Sequence, residues 1–375
     1  MVIGIPKESL EGETRIAVLP AEIKLLSSEK LTFIIEAGAG NGSFISDEDY
    51  SNAGANIVSD IYSGSDLIVR INPPSLEELS RIKENTCIIS LLAPFTNHEI
   101  VKNLAKNNIS SFCLELIPRS TYAQSMDVLS SQATVAGYRA VLNAATHLGK
   151  FFPMLMTPAG TIKPSTVLIL GAGVSGLQAI ATASRLGAKV EAFDVRPAAR
   201  EQVQSLGAKF LYMDLDDTAE TDSGYAVEMN EEFIRKEMEL LHDAAKRVDA
   251  IITTALIFGK KAPILIKDYM VNDMQPGSCI IDLAAENGGN CDLTKPGELI
   301  HHNGVTIDGR LNLPAQIPYH ASQMLSNNIS KLLTEITEEG KIKFDMENEI
   351  ITGCLVTHEG NIVHEMTKNI IEGVK

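Results

Sequence analysis

The glycine-rich segment from Gly171 to Gly176 constrains this chain more than any other feature of its sequence. The apolar run Thr166–Leu170 comes directly before the pattern Gly-x-Gly-x-x-Gly, and a helix-like stretch follows it. In such a strand–turn–helix, the first glycine allows a tight turn, Gly173 lets the backbone approach a diphosphate, and the third lets the helix pack on the strand. The segment therefore predicts a Rossmann-type dinucleotide site, with the diphosphate at the helix N-terminus.

An acidic residue at the end of the next expected strand supports this interpretation. Lys189–Phe193 reads as that strand, and Asp194 lies 18 residues past Gly176, where an acid that binds ribose hydroxyls is expected. A glycine turn without a ligand is the alternative, but it leaves Asp194 unexplained. The carboxylate would repel a 2′-phosphate, which favours NAD over NADP. Arg196 points the other way, because an arginine just beyond this strand accepts such a phosphate in some enzymes.

Length and composition limit the remaining possibilities. The chain has 375 residues, enough for two domains, and a net charge of −16, which argues against binding nucleic acid or anionic lipid. Its five cysteines form no Cys-x-x-Cys pair and predict reduced thiols in a cytosol-like compartment. The first residues before Lys7 are too few for a signal peptide, and the uncharged stretch 164–184 is interpreted as a strand, a turn and a helix rather than a membrane span. No spacing of His, Cys, Asp or Glu predicts a metal site.

Apolar runs alternate with helix-like stretches along the chain, which predicts an α/β fold with mostly parallel sheets. We expect two Rossmann-like, doubly wound domains joined by long helices around 128–150 and 317–336. The expected ranges are 1–127 for an N-terminal α/β domain, 128–317 for the NAD-binding domain and 318–375 for a C-terminal helix and tail that complete the first domain. The first-third strands are expected at Val2–Ile5, Leu31–Glu36, Asp66–Ile71, Cys87–Leu92 and Ser111–Ile117.

Three further features of the sequence can be interpreted from their residues. The run Gly38–Gly42 resembles a second fingerprint, but its third glycine comes one residue early, so we interpret it as a turn and expect one dinucleotide site. The acidic loop Asp214–Tyr225 is long for its position and is expected to be a lid or a disordered segment. Among the histidines, His147 and His320 lie on helix patterns and His301–His302 precede a strand; all are expected to be structural.

A polar segment between Glu115 and Gln132 lies where a strand ends and a long helix begins. Loops at the carboxyl ends of parallel strands form the usual ligand crevice of α/β folds. From the residues alone a simpler interpretation is a helix start, with Asp127 or Ser125 as N-cap and Arg119 as a surface charge. Both interpretations remain open at this level.

The chain as a whole resembles the soluble NAD(H)-binding subunit of the proton-translocating nicotinamide nucleotide transhydrogenases, relatives of the alanine dehydrogenases. The resemblance covers essentially the entire sequence. It rests on the segments Gly4–Glu8, Glu13–Ala17, Pro118–Gln132, Gly171–Gly176, Asp194–Arg196, Glu201–Gly207, Gly224–Ala226, Thr253–Leu256, Ile281–Glu286 and Gly288–Cys291.

The resemblance implies roles for individual residues. It implies that Arg119, Gln124 and Asp127 hold the dihydronicotinamide, with Ser130 near its carboxamide and Tyr225 on a mobile loop. The rest of the NAD site would be lined by the three fingerprint glycines and by Val174, Asp194, Val195, Arg196, Gly224, Thr254, Ala255 and Leu256.

Alanine dehydrogenases resemble the chain at Arg15, which in those enzymes binds the substrate carboxylate. Their substrate lysine falls at Arg70, their catalytic histidine near Leu91 and their catalytic aspartate near Glu286, and the nearest histidine, His98, lies in an expected helix. An amino-acid dehydrogenase needs a positioned acid–base group, and none is visible there. Hydride transfer between two nicotinamides needs only close, oriented rings and the exclusion of water.

The expected function is therefore an NAD(P) transhydrogenase subunit that presents NADH to NADP⁺ on a partner. The resemblance implies an NADP(H)-binding beta subunit, a membrane-spanning subunit, coupling to proton movement, a homodimer, and a peripheral position on the cytosolic or matrix face of a membrane. An amino-acid dehydrogenase and a non-catalytic NAD-binding regulator remain the alternatives.

Overall fold

The computed structural model describes residues 1–27, 30–212, 231–256 and 261–373. The chain divides into two compact units, each with its own sheet and core. Unit 1 comprises residues 1–132 and 314–375, and unit 2 comprises residues 133–313. The two ends of the chain thus contribute to the same unit.

The strands are numbered along the chain within the described ranges. They are β1 Val2–Ile5, β2 Thr32–Glu36, β3 Asn56–Val58, β4 Leu67–Val69, β5 Cys87–Ser90, β6 Ser110–Cys113, β7 Leu155–Thr157, β8 Gly160–Ile162, β9 Thr166–Leu170, β10 Lys189–Phe193, β11 Lys209–Phe210, β12 Ala250–Thr253, β13 Cys279–Asp282, β14 Leu299–His302, β15 Val305–Asp308, β16 Thr337–Glu338, β17 Lys341–Ile342, β18 Leu355–His358 and β19 Asn361–Ile362.

The α-helices are numbered in the same way. They are α1 Pro20–Leu26, α2 Asp47–Asn52, α3 Leu76–Arg81, α4 His98–Lys106, α5 Val128–His147, α6 Val174–Arg185, α7 Ala199–Ser205, α8 Glu231–Ala245, α9 Asp268–Asn272, α10 Pro318–Ile336, α11 Glu349–Cys354 and α12 Glu365–Glu372.

Unit 1 is built on one eight-stranded sheet in the order β19-β18-β6-β5-β4-β1-β2-β3. Strands β1 to β6 run parallel, and β18 from the C-terminal segment adds to β6 in the antiparallel sense. Alternate residues of β5 enter two different cores: Ile89 packs in one and Ile88 in the other. Because both faces are covered, these strands read as continuous apolar runs. The strand order reverses between β1 and β4, where doubly wound folds open their ligand crevice.

Unit 2 contains a seven-stranded sheet in the order β11-β10-β9-β12-β13-β15-β14, parallel except for β14 at one edge. Its strand order reverses between β9 and β12. In the register of the sheet, Leu170 pairs with Phe193 of β10 and with Thr253 of β12. The residues that follow these three strands therefore lie side by side at one edge of the sheet.

The structure confirms the expected α/β class with parallel, Rossmann-like sheets. The uncharged stretch 164–184 forms β9, the glycine turn and most of α6, as expected. Throughout the described ranges, no helix combines the length and apolarity that a bilayer crossing requires. All five cysteines are buried and unpaired.

Two hairpins of unit 2 were not expected from the sequence. His301 and His302 precede the strand β15, as expected, but they also lie in a strand of their own, β14, because Asn303 and Gly304, with φ of 48° and 83°, form the tight turn of a β14–β15 hairpin. The stretch after α5 forms the second, the β7–β8 hairpin. The expected lid Asp214–Tyr225 lies outside the described residues.

Candidate functional site

The glycine turn of unit 2 connects β9 to α6, and each of its three glycines has a distinct steric reason. Gly171 has a φ of 95°, and a Cβ there would lie 2.6 Å from Oγ1 of Thr254. A Cβ on Gly176 would lie 1.9 Å from the carbonyl oxygen of Gly171, so the helix packs against the turn without room for a side chain. At Gly173, apart from its two chain neighbours, no described residue has an atom within 4 Å of the Cβ position, which leaves the backbone accessible to a ligand. This division of roles is that of a diphosphate cradle.

The N-terminus of α6 is suited to an anion. Its N-cap is Gly173, which offers no side-chain cap, and the first turn contains no acidic residue. The first N–H groups of a helix have no intrahelical partner and carry a partial positive charge. The turn and helix therefore fit the diphosphate of a dinucleotide.

Asp194 follows β10, and both oxygens of its carboxylate accept hydrogen bonds. Its Oδ2 accepts hydrogen bonds from the N–H of Ala172 at 2.7 Å and from Nη2 of Arg196 at 2.9 Å. Its Oδ1 accepts from the backbone N–H of Arg196 at 2.8 Å and from Nε of the same residue at 2.9 Å. Burial raises the pKa of Asp194, but the Arg196 side chain and the two backbone N–H groups outweigh it and hold the pKa below its usual range. The carboxyl is therefore ionised near neutral pH.

This arrangement has a consequence for ribose binding. A carboxylate offers about four acceptor positions, and Arg196 and Ala172 fill four on Asp194. A ribose diol that binds Asp194 must displace the side chain of Arg196. The Arg196 side chain is 58% exposed, so water can replace its hydrogen bonds when it moves, whereas Asp194 is only 7% exposed and depends on the ligand to replace them.

The end of β12 forms the other wall of the glycine turn. The hydroxyl of Thr254 donates to the carbonyl oxygen of Gly171 at 3.0 Å, and its backbone N–H donates to that of Leu170 at 2.8 Å. The expected lining residues Val174, Val195 and Leu256 are large apolar side chains that stand about half exposed. Apolar surface beside a polar cradle is what a nucleotide site offers to the faces of its rings.

In unit 1, the structure gathers the other expected residues into one short segment. Arg119 is exposed after β6, Gln124 is exposed within the 3₁₀ turn Ala123–Met126, and Asp127 precedes α5. The carboxylate of Asp127 accepts the backbone N–H of Ser130 at 2.9 Å and the hydroxyl of Ser130 at 2.6 Å. Asp127 is therefore the N-cap of α5, as the simpler interpretation held, and it also orients the Ser130 hydroxyl.

The segment 119–127 is held by apolar contacts with the core of unit 1 and by hydrogen bonds to α10, while its polar side chains Arg119 and Gln124 are exposed. Ala123 and Met126 are buried in the core of unit 1. Nδ2 of Asn328, on α10, donates to the carbonyl oxygen of Ser125 at 2.8 Å, and the hydroxyl of Tyr122 donates to Glu335 on the same helix at 2.6 Å. A loop fixed at these points presents Gln124 with little conformational freedom in its backbone.

The crevice of unit 1, after β1 and β4, contains charged side chains that pair with one another. Arg15 donates to Glu13 through Nε at 2.8 Å and Nη2 at 2.6 Å, and through Nη1 to Gln132 at 2.8 Å. Arg70 is 1% exposed and lies 3.1 Å from Glu78.

Beside them, Glu8 accepts hydrogen bonds from the backbone N–H groups of Ile71 and Asn72, and lies 3.7 Å from Arg70. Desolvation by burial raises the pKa of Glu8, and this outweighs the effect of Arg70. For Glu13, burial also raises the pKa, but the effect of the paired Arg15 guanidinium is larger. The pKa of Glu13 is therefore below its usual range.

Several sequence expectations remain without a structural account. Gly224 and Tyr225 lie outside the described residues. Glu286 accepts the backbone N–H of Asn312 at 3.0 Å, and Leu91 packs against the apolar core of unit 1.

Sequence reasoning gave no role to Asn290, although two glycines in the left-handed conformation, Gly288 and Gly289, come directly before it. Within the described part of the chain, no group of three or more His, Cys, Asp or Glu side chains could hold a metal ion.

Comparison with known proteins identifies the family of this chain. The family profile "Alanine dehydrogenase/PNT, N-terminal domain" matches residues 4–136, and "Alanine dehydrogenase/PNT, C-terminal domain" matches residues 140–365. An NAD(P) transhydrogenase alpha subunit of Rhodospirillum rubrum is 45% identical over 97% of this chain and 98% of its own length.

Two further relatives represent the two kinds of enzyme in this family. The crystal structure of transhydrogenase from Sinorhizobium meliloti superimposes with a TM-score of 0.86 at 38% identity, covering 98% of this chain and all of that one. Alanine dehydrogenase of Mycobacterium tuberculosis is 27% identical over 97% of this chain and 95% of its own length. The chain therefore belongs to the alanine dehydrogenase/PNT family, and within it to the NAD(P) transhydrogenase alpha subunits.

Proposed function

We propose that this chain is the NAD(H)-binding subunit of a proton-translocating transhydrogenase, and that it presents NADH to NADP⁺ held on a partner subunit. The observation that carries the proposal is the state of the two crevices. Unit 2 has a diphosphate cradle with uncovered backbone at Gly173, whereas in unit 1 Arg15 and Arg70, at the positions where an amino-acid dehydrogenase would bind its substrate, are paired with Glu13 and Glu78 of the chain itself.

The residues in unit 2 fit NAD(H). The N-terminus of α6 would bind the diphosphate, and Asp194 would bind the adenosine ribose after Arg196 moves aside. A carboxylate at this position also disfavours a 2′-phosphate, so it selects NAD(H) over NADP(H). Val174, Val195, Ala255 and Leu256 would contact the cofactor through van der Waals surface.

In unit 1, the proposed role of Arg119, Gln124, Asp127 and Ser130 is to orient the nicotinamide. The Asp127 carboxylate fixes the Ser130 hydroxyl, which would hydrogen-bond the carboxamide of the ring. Gln124 and Arg119 supply exposed amide and guanidinium groups that would hold the ring in one plane. Tyr225 and Gly224 are included in the proposed site from the family resemblance alone.

Bound NADH supplies a hydride from C4 of its nicotinamide, which reduces NADP⁺ to NADPH and leaves NAD⁺. The transfer moves two electrons and one hydrogen between two carbons, so no side chain has to give or take a proton. The protein therefore needs orienting groups and a dry interface rather than an acid–base pair. This fits unit 1, where no histidine lies at the position of Leu91.

The proposal extends to the assembly. An NADP(H)-binding beta subunit and a membrane-spanning subunit would complete the enzyme and couple hydride transfer to proton translocation. The chain would act as a homodimer, peripheral on the inner face of the cytoplasmic membrane or on the matrix side of an organelle.

The test compares the chain alone with the chain plus its partner. The purified chain is assayed with NADH, pyruvate and ammonia, and then with NADH, an NADP⁺ analogue and an NADP(H)-binding subunit. We expect activity only in the second mixture. Turnover of pyruvate by the chain alone would favour an amino-acid dehydrogenase, and silence in both mixtures would favour a binding regulator.

A further inference from the structure

The segment after β13 contains a buried network for which the proposed function has no use so far. Asp282, the last residue of β13, is 1% exposed and accepts five hydrogen bonds from neutral donors. Its Oδ1 accepts from the hydroxyl of Thr253 at 2.8 Å and the N–H of Ala284 at 3.0 Å. Its Oδ2 accepts from the N–H of Asn290 at 2.8 Å, the N–H of Cys291 at 3.2 Å and the hydroxyl of Thr294 at 2.6 Å. The carboxylate thus fixes the backbone at Asn290.

The side chain of Asn290 is completely buried and forms two hydrogen bonds with the backbone of Ala255, just after β12. Its Oδ1 accepts the N–H of Ala255 at 3.0 Å, and its Nδ2 donates to the carbonyl oxygen of Ala255 at 2.9 Å. The same amide nitrogen donates to the carbonyl oxygen of Pro263 at 2.7 Å. A primary amide, with one acceptor and two donor hydrogens, is the side-chain group that satisfies all three contacts.

Ala255, the hydrogen-bond partner of Asn290, lies directly beside the glycine turn. Ala255 follows Thr254, whose hydroxyl donates to the carbonyl oxygens of Gly171 and Leu170. The space between Thr254 and the turn is small, since a Cβ on Gly171 would lie 2.6 Å from the Thr254 hydroxyl and 3.3 Å from the N–H of Ala255. A shift of Ala255 would therefore change the position of the adjacent Thr254 hydroxyl against the turn.

We infer that Asn290, held by Asp282, is a positioning residue for the dinucleotide cradle. It acts through the backbone of Ala255 and the hydroxyl of Thr254, and it fixes the shape of the Gly171–Gly173 turn without touching the cofactor. Buried polar networks that are completely hydrogen-bonded hold a single geometry, because an alternative geometry leaves buried groups unpaired. The inference rests on the proposed NAD(H) site at this turn.

The test uses Asn290→Ala and the isosteric Asn290→Asp in the full-length chain. Asn290→Asp keeps an acceptor for the N–H of Ala255 but places a carboxylate oxygen against the carbonyl oxygens of Ala255 and Pro263. We expect both variants to weaken NADH binding at least fivefold, measured by fluorescence titration. In the assay with the NADP(H)-binding subunit, the half-saturating NADH concentration should rise while the rate at saturating NADH stays within threefold of wild type.

A matched control separates positioning from general stability. Asn143 is another buried amide of unit 2, 3% exposed, on α5 and 3.5 Å from Asp308. Asn143→Ala is expected to lower the melting temperature but to keep the NADH affinity within twofold. If Asn290→Ala does not fold, the smaller change Asn290→Ser, which keeps one donor and one acceptor, takes its place.

Two outcomes overturn the inference: a change in affinity of less than fivefold in folded Asn290 variants, or an equal loss in Asn143→Ala. Asp194→Ala, titrated in parallel, distinguishes this failure from failure of the proposed site. If Asp194→Ala weakens binding and the Asn290 variants do not, the positioning role alone is wrong. If Asp194→Ala also binds normally, the site itself lies elsewhere.

Discussion

Two carboxylates, Asp194 and Asp127, stand at the end of a strand and the start of a helix, and their surroundings give them different roles. Asp194 is paired with an exposed arginine, which in the proposed site moves aside for the ribose. Asp127 is committed to the first turn of α5 and to Ser130, so it orients another group rather than offering a free acceptor. The sequence pattern identified both residues, but it gave no sign that Arg196 would occupy Asp194, because that contact depends on a side-chain conformation.

Asp194→Ala removes the proposed acceptor for the adenosine ribose. We expect the dissociation constant for NADH to rise at least tenfold, equivalent to about 1.4 kcal/mol or more, since charge-assisted hydrogen bonds are lost. Fluorescence titration measures the change, with the exposed Asp243→Ala as a control of equal charge. An unchanged affinity would remove Asp194 from the site.

Arg196→Ala tests whether the arginine competes with the ribose or binds the nucleotide. Because the ribose must displace this side chain from Asp194, we expect NADH to bind within threefold of wild type or more tightly. The same titration measures it. Weakening by more than tenfold would mean that Arg196 itself contacts the nucleotide.

Gln124→Asn shortens an exposed side chain by one methylene within an anchored backbone. We expect near-normal NADH binding, because the cradle is intact, and slower hydride transfer, because the orienting amide is withdrawn. Stopped-flow exchange with the NADP(H)-binding subunit separates the two quantities. An unaltered transfer rate would count against the orienting role of Gln124.

At the scale of elements, continuous apolar runs and the glycine fingerprint predict much of both sheets, since buried parallel strands and strand–turn–helix units leave clear patterns. Short antiparallel hairpins were missed. Their turns, Asn303-Gly304, Glu339-Gly340 and Glu359-Gly360, each place two residues at positive φ, but the flanking strands have only two to four residues. Such strands are too short for an alternation of apolar and polar residues to stand out. The Asn-Gly pair at 303–304 is a signal that identifies a hairpin.

The close approach of α5 to the N-terminus of α6 gives a prediction about stability. A Cβ on Gly137 would lie 2.1 Å from the carbonyl oxygen of Ser175, and backbone cannot move aside as a side chain does. We expect Gly137→Ala to reduce the free energy of unfolding by about 1–3 kcal/mol, as overpacking does. Gly149→Ala is the control, because no atom of the described residues beyond its chain neighbours lies within 4 Å of its Cβ position. Equal melting temperatures for the two variants would contradict the packing argument.

At the scale of the whole molecule, stability should depend on acidic pH. Glu13, Asp194 and Asp308 have a folded-state pKa below the ordinary value, in each case because an arginine outweighs the effect of burial. Groups of this kind stabilise the fold above their unfolded pKa, near 4, and lose that contribution as pH falls through the folded pKa. Glu8 has a raised pKa and contributes with the opposite sign.

We therefore expect the melting temperature to fall as pH is lowered from about 5 to about 3. Differential scanning calorimetry measures it, and Asp308→Asn should reduce the slope because it removes one of the depressed carboxyls. Asp243→Asn, at an exposed position, should leave the slope unchanged. A melting temperature constant over this range would contradict the account of the buried ion pairs.

The charged pairs in the crevice of unit 1 belong to the whole-molecule scale, because the proposed choice between reaction classes depends on them. Arg15 and Arg70 were identified from the sequence as positions shared with alanine dehydrogenases. Glu13 lies two residues before Arg15, but Arg70 pairs with Glu8 and Glu78, which are distant from it in the sequence and meet it only in the folded unit, so these two partners could not be predicted. The clamp of Asn290 on Ala255 was missed for the same reason.

The most direct measurement follows a deuterium label placed on the transferred C4 position of NADH. The chain is mixed with the NADP(H)-binding subunit and NADP⁺, and the products are analysed by mass spectrometry. We predict that the label appears in NADPH without loss to water, because the hydride passes directly between nicotinamides. Label recovered in alanine when pyruvate and ammonia are added to the chain alone, or lost to solvent, would contradict the account.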